Sequence, residues 1–194
     1  MSFLIPARDD RAGLRVWFVV GLVGLIIAGA ASLWFVLRAA WADATSLSAR
    51  TIATDWRAGT GPTATGELWA RTRDQLQVAL QVAPGNAQLH DDLGFLYASR
   101  SQGMGIVPVG SDDYALQQNL MEAAIVHYRA ACAMRPTFPY TWAYLALAKH
   151  YRDQHDAEFF AAYGRAVKYG HSEVVLQPLL ATLAPHAGVQ RPVP

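Results

Sequence analysis

Val16 to Leu37 carries no formal charge and is bracketed by Arg15 and Arg38, and this run constrains the chain more than any other feature. As a helix it would rise about 33 Å, enough to cross the hydrocarbon core of a bilayer. Trp17 and Trp34 would then lie about 26 Å apart, near the two headgroup layers that indole rings prefer. Such a span also accounts for a composition with 53% hydrophobic and only 16% charged residues.

A cleavable secretory signal competes with this expectation, because Ala40-Trp41-Ala42 and Ala42-Asp43-Ala44 both fit the small-x-small cleavage pattern. The apolar run is longer than the core of a typical signal, and Arg38 follows it directly; both favour an uncleaved anchor. Arg8, Arg11, Arg15 and the terminal amine precede the run, against Arg38 and Arg50 after it. That bias sets the N-terminus inside and the bulk of the chain outside. The expected organisation is a single-pass membrane protein, with residues 1–14 on the cytoplasmic side, 15–38 spanning and the C-terminal domain exported. Gly24 and Ala28 stand in small-xxx-small register, which would let another helix approach closely, although such residues are also simply frequent in spanning helices.

Net charge is +1, with 16 Lys and Arg against 15 Asp and Glu. No global positive field is available to neutralise phosphates, so nucleic acid is not expected as a partner. The single cysteine, Cys132, can form neither an internal disulfide nor a metal site alone.

Beyond the span, Trp41, Leu47, Ile52 and Trp56 recur at loosely helical spacing before Gly59-Thr-Gly-Pro-Thr-Ala-Thr-Gly66 breaks the pattern. Residues 39–66 therefore read as a juxtamembrane helix and linker. From Glu67 onward helical patterns follow one another, with no alternation long enough for a sheet.

Internal similarity is the most informative feature of this stretch. His90-Asp-Asp-Leu93-Gly94-Phe-Leu-Tyr97 resembles the first helix of a tetratricopeptide repeat (TPR), and Ala124, Tyr128, Ala131 and Pro136 resemble its second. A looser copy begins at Trp142, with Leu145 and Ala146 in the Leu-Gly positions, and continues through Phe159, Tyr163 and Ala166. Ala79 and Pro84 repeat the end of an earlier second helix. The expected fold is all-α: one N-terminal transmembrane helix, then a TPR-like α-solenoid of about two and a half helix-turn-helix units over residues 67–186. A closing helix from Glu173 to about Ala184 would cover the last apolar face, and residues 187–194 form a tail. Tyr97, Tyr128, Trp142 and Tyr163 are expected in the core, where large residues fill the gaps between helices.

Leu93 and Ala124 stand 31 positions apart, against about 13 in the ordinary repeat, which implies an insertion of about 18 residues between the two helices of that unit. It is expected at about 101–117. Met104, Ile106, Val107 and Val109 form an apolar patch there, either a contact for a partner or membrane face or a flexible excursion.

Chemistry is sparse. His90, His127, His150, His155, His171 and His186 show no metal-ligand spacing, and no phosphate loop or nucleophile elbow occurs. Asp91 and Asp92 diverge by about 100° on a helix and are not expected to share a site. Asp112-Asp113 reads as a start signal for a helix near Tyr114. Cys132, between two alanines, reads as an inert buried thiol. No enzyme, cofactor or metal is expected. Binding would fall to the concave face of the repeats, onto which the pattern maps Gln88, Asp91, Phe95, Tyr140, Leu147, His150 and Tyr151. That groove could equally be unused or filled by the closing helix.

The phrase Arg135-Pro-Thr-Phe-Pro-Tyr-Thr-Trp-Ala-Tyr-Leu-Ala-Leu-Ala-Lys149, with Asp156-Ala-Glu-Phe and Arg165-Ala, resembles the VpsP-type accessory family of bacterial exopolysaccharide biosynthesis. The resemblance covers roughly residues 67–185. It implies a noncatalytic, membrane-anchored helper that holds protein partners during polysaccharide assembly or export. An accessory or assembly subunit of a membrane enzyme complex (respiratory, oxygenase or cytochrome maturation) is the alternative class.

Overall fold

A computed structural model describes residues 10–188. Arg8 and residues 189–194 of the expected tail lie outside that range, as do the side chains of residues 10–16 and 42. The described residues form seven α-helices and one short 3-10 turn, with no strand among them. The chain divides into two compact units, Met1–Trp41 and Ala42–Pro194.

Helix α1, Asp10–Arg57, supplies the described part of the first unit and the opening of the second. It is helical throughout, so the expected juxtamembrane helix is not a separate element. No glycine or proline interrupts 39–57, and the break comes only at Ala58 to Thr65. Among the described residues, the side chains of the apolar part of α1 are exposed. Its best 18-residue window has a mean hydropathy of 2.4, and Trp17, Leu25, Trp34 and Phe35 are all exposed. By length and composition α1 can cross a membrane, and a signal sequence would satisfy the same criteria.

The second unit continues through α2 (Gly66–Val82), α3 (Ala87–Gly103), α4 (Asp112–Met134), α5 (Pro139–Tyr151) and α6 (Ala157–Gly170). A 3-10 turn, Val174–Leu176, then leads into α7, Gln177–Leu183. Local sequence sets these boundaries. Thr65, Asn86, Ser111 and Asp156 each accept a backbone N–H with their side-chain oxygen at the start of α2, α3, α4 and α6. Pro139 opens α5, where a missing N–H costs nothing. Pro84 and Pro136 follow the ends of α2 and α4, which they cannot continue.

Each of these helices packs on the next in chain order, and α7 folds back onto α5 and α6. One core cluster joins Ala49 and Ala53 of α1 to Trp69 and Leu76 of α2 and Leu89, Leu93 and Leu96 of α3. A larger one joins α4, α5, α6 and α7 through Ile125, Tyr128, Leu145, Phe159, Leu180 and Leu183. Tyr128, Trp142 and Tyr163 are buried as expected, while Tyr97 is partly buried and touches both clusters. Between α3 and α4, a Cβ added to Gly94 would stand 2.7 Å from the Tyr128 ring.

The expected insertion contracts sharply. Residues 101–103 extend α3 and 112–117 open α4, so only Met104 to Ser111 lies outside a helix. Ser111 caps α4 two residues earlier than the expected start near Tyr114, with Asp112 and Asp113 favouring its positive end. Gln117 donates to the carbonyls of Ser101 and Gly105, and Ser101 donates back to the Gln117 carbonyl, which closes the loop on itself.

Candidate functional site

The residues expected on a concave face separate into five environments. Phe95 of α3 and Leu147 of α5 meet in a cleft of ≈ 130 Å³, together with Ser99, Tyr128, Tyr144 and Ala148. Tyr151 instead lines a more open cleft of ≈ 390 Å³, whose other walls include Gln117, Met121, Gly105 and Ile106. Within the loop, Ile106 is fully exposed and Val109 is 84% exposed, whereas Met104 and Val107 are half-buried. Tyr140 lies at the other end of α5 and donates to Glu173 at 2.7 Å. On α1, Gly24 and Ala28 are exposed, and a Cβ at Gly24 would meet nothing within 4 Å.

Asp91 is not open to a groove: it is 4% exposed. Its Oδ1 accepts from Thr141 at 3.0 Å, and its Oδ2 lies 3.6 Å from Arg135. Asp92, 1% exposed, accepts from Gln88 at 2.9 Å and Arg57 at 3.2 Å, with Arg50 at 3.7 Å. The two carboxylates diverge onto different partners, as expected of adjacent helical residues, yet both are interior. Burial outweighs the guanidiniums and holds both above the ordinary carboxylate value. Gln88, expected in the groove, is committed to this network through Asp92 and Arg135. A helical wheel cannot reveal such burial, because the arginines that receive Asp91 and Asp92 come from α1 and from the α4–α5 turn.

Between α3 and α4, His90 Nδ1 and His127 Nδ1 lie 3.0 Å apart, and Tyr97 stacks on the His127 ring. Gln77 donates to the Tyr97 hydroxyl at 2.8 Å. Burial lowers both histidines, and the neighbouring His90 adds to the effect at His127, which falls to about 4. These rings stay neutral near pH 7 and are half-buried between the two helices, with Tyr97 over one of them. Cys132 is likewise buried, its thiol pushed up to about 12 by loss of solvent and by the charge of Asp91. A thiol so protonated is a poor nucleophile.

A third group was not legible in the sequence. His150 in the last turn of α5, His155 in the α5–α6 turn and His186 after α7 converge, with one nitrogen from each ring within 4.8 Å of the others. His150 Nδ1 and His155 Nε2 are 2.9 Å apart. The His150 and His186 centroids are 4.2 Å apart, and His155 stacks on His186 at an interplanar angle of 9°. His150 and His155 are half-buried and His186 is exposed, so the group has a solvent side. Buried Phe159 closes the other side, edge-on to His155 at 4.8 Å. Burial and the two neighbouring imidazoles hold His150 below its ordinary value.

Backbone geometry creates this convergence. The amides of Arg152 and Gln154 donate to the Lys149 carbonyl and that of Asp153 to the His150 carbonyl, turning the chain back at the end of α5. Asp153 takes φ 55°, in the left-handed region that a residue with a Cβ rarely adopts. Lys149, 3% exposed, anchors the turn from below through Asp156 at 2.9 Å and Glu158 at 2.8 Å. Burial alone would lower the lysine, but its two carboxylate partners outweigh that and hold it above the ordinary value. Glu158 also receives two hydrogen bonds from Arg129, chiefly responsible for holding it down to about 2.

No protein-family model matches the chain, and a search of curated proteins finds no match.

Proposed function

We propose that the chain is a membrane-anchored scaffold or adaptor of a bacterial cell-envelope assembly, its helical domain a TPR-like solenoid in the periplasm serving exopolysaccharide biosynthesis or export. The observation that carries this proposal is the cleft in which Phe95 of α3 and Leu147 of α5 meet. Those are the first helices of successive units in the repeat pattern, whose inner surface is where such proteins hold extended partners. The packing supports it too. Gly94 lies under Tyr128, and the matching Ala146 and Tyr163 are both buried in the next pair.

The role is noncatalytic. Among the described residues the buried carboxylates are occupied by arginines, and the one thiol is protonated. The apolar α1 supplies the anchor, and the VpsP-type resemblance of residues 135–166 supplies the pathway. Pull-down of the full chain in mild detergent, followed by mass spectrometry, tests this. Glycan-synthesis or export proteins are expected to co-purify, and Phe95→Glu with Leu147→Glu to lose them while the helical content holds. Recovery of redox-complex subunits would instead indicate an accessory subunit of a membrane enzyme.

A further inference from the structure

We propose that His150, His155 and His186 form a binding site for one late divalent transition-metal ion, of the zinc or copper class, which pins the turn after α7 to the α5–α6 turn. The site goes beyond the scaffold role and does not depend on it. Imidazole nitrogen is the preferred donor for these ions, and three such donors with an open fourth position make a familiar zinc set.

The geometry is close to what an ion needs. Two nitrogens on one tetrahedral zinc, each about 2.0 to 2.1 Å from the metal, stand about 3.3 Å apart. His150 Nδ1 and His155 Nε2 are already at 2.9 Å, and the full set lies within 4.8 Å. Small rotations of the exposed His186 ring about its side-chain bonds would draw the third nitrogen in. Neutral rings suffice, each keeping its proton on the nitrogen that faces away from the ion.

The surroundings agree. Asp153 Oδ1 stands 3.4 Å from His155 Nδ1, the position of the outer carboxylate that commonly orients a metal-bound histidine and leaves its Nε2 for the ion. The same Asp153 holds the left-handed backbone that brings His155 beneath His150, so the unfavourable conformation and the carboxylate serve one arrangement. The nearby cations are committed elsewhere, Lys149 to Asp156 and Glu158, and Arg152 to Glu122. They do not oppose a divalent charge. His90 and His127 offer the same chemistry but only as a pair, with Tyr97 stacked over one ring.

Zn²⁺ titrated into the full chain in mild detergent, free of any polyhistidine tag, tests the site by calorimetry, with Co²⁺ as a spectroscopic substitute. One equivalent is expected to bind with a dissociation constant below about 10 µM, and Co²⁺ to give visible bands of tetrahedral intensity. His155→Gln and His186→Gln should each weaken binding by about 100-fold or more, and Asp153→Asn by about 10-fold. His171→Gln, at an exposed histidine outside the group, should leave it unchanged, and circular dichroism checks that each variant is folded. Weaker binding by the unaltered chain, or binding that folded His155→Gln and His186→Gln variants retain, overturns the proposal and leaves a hydrogen-bonded imidazole cluster.

Discussion

Imidazoles meet at two places in the second unit, and their surroundings give them opposite characters. His90 and His127 lie between α3 and α4, where Tyr97 stacks over one ring and the buried Asp91 and Asp92 extend the polar interior. His150, His155 and His186 meet where α5, a turn and the segment after α7 run out, with one ring in solvent. The first group belongs to the packing: its members have partners, lie in low dielectric and resist charge. The second is held by a turn and left open on one side. Polar groups packed between helices specify how those helices meet, whereas polar groups gathered at helix ends remain available to a ligand.

Variants at the two places should therefore differ in kind. Asp92→Ala takes the buried carboxylate away from Arg57, while Arg50 keeps Asp43 and Gln88 keeps Arg135; it is expected to cost about 3 kcal/mol in urea denaturation, the low end for a broken buried pair because both arginines keep an edge in water. Acid should act on the His90–His127 pair next. The folded domain keeps His127 neutral while the unfolded chain takes up a proton, so stability is full above the ordinary value of 6.5 and falls as pH drops toward about 4. The expected loss is about 2 kcal/mol, allowing for the partial exposure of the ring. His127→Leu should flatten that part of the pH profile, and an unchanged profile would break the contrast.

Glycines sharpen the comparison at smaller scale. Gly94→Ala must force the Tyr128 ring aside and is expected to cost about 1.5 kcal/mol, even with the better helix propensity of alanine. Gly164→Ala in α6, where nothing lies within 4 Å of the new Cβ, should stabilise by about 0.5 to 1 kcal/mol. Thermal melts of the two would separate a sealed crossing from an open helix face. Smallest of all, His186→Gln without metal should change stability by less than about 0.5 kcal/mol, since an exposed ring contributes little to packing.

The helices were largely legible beforehand because their signals are local. Asp112-Asp113 mark the start of α4, Pro84 and Pro136 close α2 and α4, and the apolar run of α1 has the length of a bilayer. The form of the insertion was not legible, because repeat spacing measures only the excess between two motifs. It cannot tell an added loop from two lengthened helices, and the Gln117 and Ser101 bonds that favour the latter join residues 16 apart. Asp91 was assigned to an open face for a similar reason, as its partners Thr141 and Arg135 lie on and before a different helix.

By itself, then, the sequence determined that the chain is helical, where α2 and α4 end, and that the first helix is apolar enough to cross a membrane. Hydrogen bonding and side-chain periodicity within a few residues decide those features. Only the tertiary structure decided that Asp91 and Asp92 are interior and that His150, His155 and His186 meet. Those outcomes depend on how separate helices pack and on one backward turn at Asp153, and neither leaves a mark in the spacing of residues along the chain.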